Sequence, residues 1–157
     1  MKKSEIRAAL DAAKEIKVHK FEDKDLRNAF IEDHFILLDA SRKLDTKVED
    51  MRKVFIEAYK EEEQPVQDLQ TKINEATTRE EQIEFSKELR EKHKDYLAAF
   101  KALNENVNNL YAEEVTGLKK LDRDKIMAEL EKQDLKLSWV EALYPLFILE
   151  ENTKKEK

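Results

Sequence analysis

The chain has no cysteine, one glycine and two prolines in 157 residues. Without cysteine there is no disulfide, no thiol nucleophile and no thiolate zinc site. Average usage would supply about ten glycines for turns, bulges and caps at this length. A single glycine excludes a β-sandwich, a Rossmann sheet, a phosphate-cradling loop and a nucleophile elbow. Such a chain turns seldom and must run in a few long segments. No stretch approaches the ~18 apolar residues of a membrane span. The opening Met1-Lys2-Lys3-Ser4-Glu5 is followed by no apolar core of a secretory signal. A cytoplasmic protein with no membrane contact is therefore expected.

Charge is what the sequence has in excess: 30 Lys and Arg against 36 Asp and Glu, a net −6. The acidic balance argues against nucleic acid, which needs a local surplus of cations over its phosphates. The signs are interspersed, as in Lys60-Glu61-Glu62-Glu63, which is how solvated helix faces read. Adjacent carboxylates such as Glu32-Asp33 and Glu113-Glu114 diverge on a helix and are read as solvated. Lys119, Lys120, Arg123 and Lys125 cluster after Gly117, a pattern that suits the C-terminal end of a helix dipole as well as an anion.

Apolar periodicity supplies the fold. Ile6, Ala9, Leu10, Ala13 and Ile16 make one helical stripe over 4–17, with Ser4 as N-cap. From 25 to 63 a heptad runs through Phe30, Leu37, Leu44, Met51 and Ala58, alternating with His34, Ser41, Val48 and Phe55. A second heptad over 79–116 alternates Leu89, Tyr96, Leu103 and Leu110 with Ser86, His93, Phe100 and Val107. Two such seams predict an antiparallel helical hairpin, with Pro65 opening a separate short tip at 64–78 and Thr78 and Glu81 forming a capping box. Gly117 is placed as the C-cap of the second arm. The 118–149 region reads as short C-terminal helices, with Ser138 and Glu141 as a capping box, and 150–157 as a solvated tail. The expected fold is a single all-α domain, a coiled-coil-like hairpin with a small helical globular end built from the N- and C-terminal helices.

Two sets of residues carry the functional expectation. Trp139, Val140, Leu143, Tyr144, Leu146 and Phe147 lie in a run that is apolar on all sides, with Glu141 its one charge. Such a run either plugs the broad end near Phe30–Leu38 with the first helix or serves as a partner-binding surface. His34 and His93 fall in the two seams, where a facing pair could ligate a metal or serve a catalytic bundle. Yet the carboxylate-bridged pattern would need Glu three residues before each histidine, and those positions hold Ile31 and Arg90. No catalytic residue, metal site or cofactor is therefore assigned.

The order of elements, Ile6-to-Ile16, the two heptad arms and the closing Leu137-Ser138-Trp139-Val140-Glu141-Ala142-Leu143, resembles in layout short helical proteins of uncharacterised function encoded by phages and prophages. That resemblance implies an accessory, assembly or host-interaction role, and a virion-associated location if the chain is phage-encoded. It transfers no catalytic residue. The expected function is a non-enzymatic helical interaction or assembly protein, acting on a protein partner or on itself as a homo-oligomer. The alternative is the metal-binding or catalytic bundle built on His34 and His93.

Overall fold

The structure is a computed structural model describing residues 1–148. Leu149 and the expected tail at 150–157 lie outside the described residues. Helices follow one another in the order α1 (Ile6–Glu15), α2 (Lys24–Glu75), α3 (Arg79–Lys92), α4 (Lys94–Ala112), α5 (Arg123–Glu131) and α6 (Leu137–Leu143), with short 3-10 turns before α1, before α2 and after α6. Among the described residues there is no strand, only isolated bridges between Lys2 and Glu114 and between Leu121 and Phe147. The all-α expectation holds. The described residues divide into two compact units, 1–44 with 111–148, and 45–110, and α2 contributes to both.

Unit 1 is the small helical end. Its core joins Ile6, Leu10 and Ile16 of the N-terminal segment to Phe30 and Leu37 of α2, Leu130 of α5 and Trp139 and Leu143 of α6. Ile31 and Phe35, expected under the same cover, remain exposed. Local capping fixes where α2 and α5 begin. Asp23 accepts from the amides of Asp25 and Leu26, both at 3.0 Å, and the Leu26 bond, then the nearby Lys125 ammonium, then the Asp25 bond hold its carboxyl below the usual aspartate range against its partial burial. Asp122 accepts from Lys125 N at 3.1 Å. Ser4 sits inside the first 3-10 turn and does not cap α1; there Lys2 N donates to Glu5 Oε2 at 2.6 Å. Ser138 likewise lies inside α6, whose N-cap is Lys136. Gly117 is not a helix cap either. The arm ends at Ala112, and Gly117 takes φ +82° in the connection beyond it, where a side chain would be strained.

Unit 2 is a helical hairpin, and its expected tip is corrected. Residues 64–75 continue α2, and the connection is confined to 76–78. Thr78 then caps α3, accepting from Glu81 N at 3.2 Å while the Glu81 carboxylate reaches back to the amides of Thr77 and Thr78. Pro65 lies inside this helix with its ring exposed to solvent, and it removes the amide that would bond to the Glu61 carbonyl.

The first arm also differs from an unbroken heptad. Ala58, expected in the seam, is exposed, and Tyr59 turns inward instead. From there the half-buried and buried positions run Tyr59, Glu62, Val66, Leu69, Ile73 and Ala76. One of the two lines of the seam has slipped by one residue, to Tyr59, Val66 and Ile73, while Phe55, Glu62, Leu69 and Ala76 keep their spacing of seven; the backbone at Tyr59 is non-helical there, with φ −124° and ψ 20°. An unslipped heptad would have put Pro65 and Lys72 into the seam; the slip replaces them with Val66 and Ile73. Leu130→Ala, at a fully buried position, is expected to cost about 2–5 kcal/mol in urea denaturation. Ile56→Ala, on an exposed face of α2, should stay within about 0.5 kcal/mol of the parent.

Candidate functional site

Three places in the fold gather polar or exposed apolar groups that packing alone does not account for. The first is the C-terminal segment of unit 1. Of the six residues expected to bind a partner, Trp139, Leu143, Leu146 and Phe147 are buried in the core, so they cannot present a face to a second protein. They are the plug: an all-round apolar run leaves water most favourably when each large side chain, worth roughly 1.5–3 kcal/mol, is covered. Val140 is half-buried and packs on the core edge, and Tyr144 is 53% exposed. Leu137, which that expectation did not include, is 71% exposed. Leu137 and Val140 stand three residues apart in α6, and Tyr144, four residues further on, is its C-cap and opens the 3-10 turn that follows.

One carboxylate fixes how this segment is presented. Glu15, the last residue of α1, accepts from Lys136 Nζ at 2.6 Å and from Trp139 Nε1 at 3.1 Å. Lys136 also stands over the Trp139 ring, 5.3 Å from its centroid. These hydrogen bonds, with the attraction of Lys136, hold the Glu15 carboxyl below the usual glutamate range.

The second place surrounds Asp33 and His34. Asp33 is 1% exposed; its Oδ1 accepts from the Lys119 amide at 2.7 Å, and its Oδ2 has no hydrogen-bond partner. This bond ties the 113–122 connection to α2, alongside the Lys119–Glu32 ion pair. His34 is half-buried, and its Nδ1 is enclosed without a partner. A cavity of only about 10 Å³ adjoins both residues, bordered by Ala9, Phe30 and Leu143. That is room for about one water and not for a substrate. Burial pushes the Asp33 carboxyl above the usual aspartate value; the Lys119 amide bond and the Lys119 charge pull it down, and Glu32 adds to the rise.

A second buried carboxylate, Glu129, has a structural task. Its Oε1 accepts from the amides of Glu22 and Asp23 at 3.1 and 3.2 Å, and Lys132 stands 3.6 Å from Oε2. It thereby fastens the turn before α2 to α5.

The third place lies within unit 2, around the slip at Tyr59. His93 joins α3 to α4 with φ −118° and ψ 32°, so the second arm is interrupted as well. Its Nδ1 lies 3.0 Å from Glu62 Oε2. Phe55, Tyr59, Tyr96 and Phe100 pack beside it, with the Phe55–Tyr96 rings 5.2 Å and the Tyr59–Tyr96 rings 5.7 Å apart. Burial and the charges of Glu63 and Glu62 push the Tyr96 phenol up.

The two histidines thus belong to different units and have separate neighbours. No group of three or more His, Asp or Glu among the described residues is arranged to hold a metal ion. Asp33, Glu15 and Glu129 were not anticipated. A signal for Asp33 was present, because Leu26, Phe30, Asp33 and Leu37 follow one another at inward spacings of four, three and four. No protein family, characterised protein or solved structure matches the chain.

The raised Asp33 value has a definite pH consequence. The folded state holds that proton more tightly than the unfolded chain does. Its stabilising contribution is therefore full below the unfolded aspartate value of about 3.9 and is lost as pH rises through the higher folded value. Asp33→Asn keeps the oxygen that receives the Lys119 amide and removes the charge. It should melt higher than the parent at pH 7, with the gap closing towards pH 4. Thermal melts across that range check it, and a variant less stable at pH 7 would contradict this account.

Proposed function

We propose that this chain is a non-enzymatic helical interaction or assembly protein that meets a protein partner through the outer face of α6. The observation that carries the reading is the division of that segment into two faces. Its inner side chains fill the core, while Leu137 at the start of α6 and Tyr144 at its C-cap stay exposed, with half-buried Val140 between them at the core's edge and Ile148 48% exposed just beyond. Lone exposed apolar residues need no explanation, but several in one short segment mark a contact surface. They sit on a rigid element, because Glu15 and the buried Trp139 fix α6 against α1. Tyrosine among them supplies a large amphipathic anchor of the kind that dominates interface energetics.

The absence of a membrane-length apolar helix among the described residues and the acidic balance both favour a protein partner over lipid or nucleic acid. The layout shared with small phage and prophage proteins would make the chain an accessory or structural component, acting in the cytoplasm or within a virion. The double variant Leu137→Asp/Tyr144→Arg changes two exposed residues, losing only the edge contact of the Tyr144 ring with Phe147 from the folded interior, and should leave the melting temperature within about 4 °C of the parent. Its affinity for the partner, recovered by capture on the parent protein and then measured with both, should fall at least about tenfold. Equal binding by parent and variant would refute the assignment of this face.

A further inference from the structure

We propose that the hairpin of unit 2 is hinged at the level of Tyr59 and His93, and that the His93–Glu62 contact is a pH-sensitive clamp across the hinge. This goes beyond the α6 reading and uses none of its residues. On α2 the helix breaks at Tyr59, with φ −124° and ψ 20°; on the return arm it breaks at His93, with φ −118° and ψ 32°. The arms are antiparallel, so that Tyr59 packs on Tyr96 while Glu62 meets His93. Tyr96 is three residues from His93, which puts the two breaks about 4.5 Å apart along the hairpin. One broken helix is held straight by an unbroken neighbour; two breaks at one level leave no unbroken helix to span it. Single residues that absorb a change in φ and ψ are what hinges are made of.

The layer that crosses the hinge is polar. On one side the arms meet through Phe55, Tyr59, Tyr96 and Phe100. On the other, towards the connection, the next buried residues of α2 are Val66 and Leu69. Between these apolar layers His93 Nδ1 stands 3.0 Å from Glu62 Oε2, with both side chains half-buried. His93 is the one histidine in 45–110, and histidine is the side chain that changes charge between pH 5 and 8. Protonated, it gives Glu62 a charge-assisted hydrogen bond. Neutral, it gives a weaker bond or, with its proton on Nε2, turns a lone pair towards the carboxylate. The charges around the pair act in the same sense. Glu88 of α3 feels the His93 charge and itself accepts from Lys92 Nζ at 2.6 Å, while Glu63 of α2 acts with Glu62 on the Tyr96 phenol. Lys94, beside His93 in sequence, is exposed. A shallow hollow of about 210 Å³ opens at the α2 break, lined by Glu57, Tyr59, Lys60, Glu61 and Glu62, and gives that arm room to bend. The clamp is therefore tight in acid and slack above neutrality.

Distances between spin labels test this, and a chain without cysteine takes them only where they are introduced. Lys47→Cys/Gln70→Cys sets exposed labels on α2 either side of Tyr59, and Asp45→Cys/Glu57→Cys is a control pair on one side of it. The first pair should give a narrow distance distribution at pH 5.5 and a broader one at pH 8, with the change centred between pH 5 and 8. The control pair should give one distribution throughout. With Glu62→Gln or His93→Gln added, the broad distribution should persist at pH 5.5. A first-pair distribution that is the same at both pH values, a pH dependence that survives either substitution, or an equal change in the control pair would each overturn the inference. The two-pH comparison needs neither substitution, so it stands even where one unfolds the hairpin. None of these distances reports on partner binding through Leu137 and Tyr144, so failure here and failure of the α6 reading are told apart.

Discussion

A helix with a single apolar stripe cannot settle in water by itself; it has to lay that stripe against another. In this chain one glycine and a long acidic-basic alternation leave few ways to do so. The hairpin answers the constraint with two seams joined by the connection at 76–78. The small unit answers it by gathering α1, α5, α6 and the start of α2 around side chains that no single neighbour could cover. Most of the stability of such helices comes from this packing rather than from helix propensity.

The slip at Tyr59 follows from the same constraint. A strict heptad carried onward would have turned Pro65 and Lys72 into the seam, where the apolar Val66 and Ile73 now stand. Lys72, kept outside, approaches the face of Phe85 at 5.9 Å. The second arm breaks at His93 near the same level, where Glu62 and the Phe55–Tyr59–Tyr96–Phe100 group join the two arms.

Much of this architecture was legible in the residues. Alternating steps of three and four gave both arms, and the Thr78–Glu81 box gave the start of the second. The plug was legible from an all-round apolar run that water could not tolerate. The slip was harder to see because Ala58 is apolar and correctly spaced; only Pro65 and Lys72, seven and fourteen residues on, betray it. Gly117 misled by standing near the end of a periodic stretch that frays at Ala112. Buried carboxylates were the main omission. Asp33 reads as half of a solvated pair until the 113–122 connection is seen to bring the Lys119 amide to it, and no local pattern announces that partner. Of the six residues expected to meet a partner, only the outward pair Val140 and Tyr144 remain available, because a helix that plugs a core still has a back.

The opening at Tyr59 re-lays one rail of the seam and spares the other. Phe55, Glu62, Leu69 and Ala76 pass through it at an unbroken spacing of seven, while Tyr59, Val66 and Ile73 stand where residues 58, 65 and 72 would have stood. A single departure from the helix thus exchanges the side chains along half of a contact line and leaves the partner half in place.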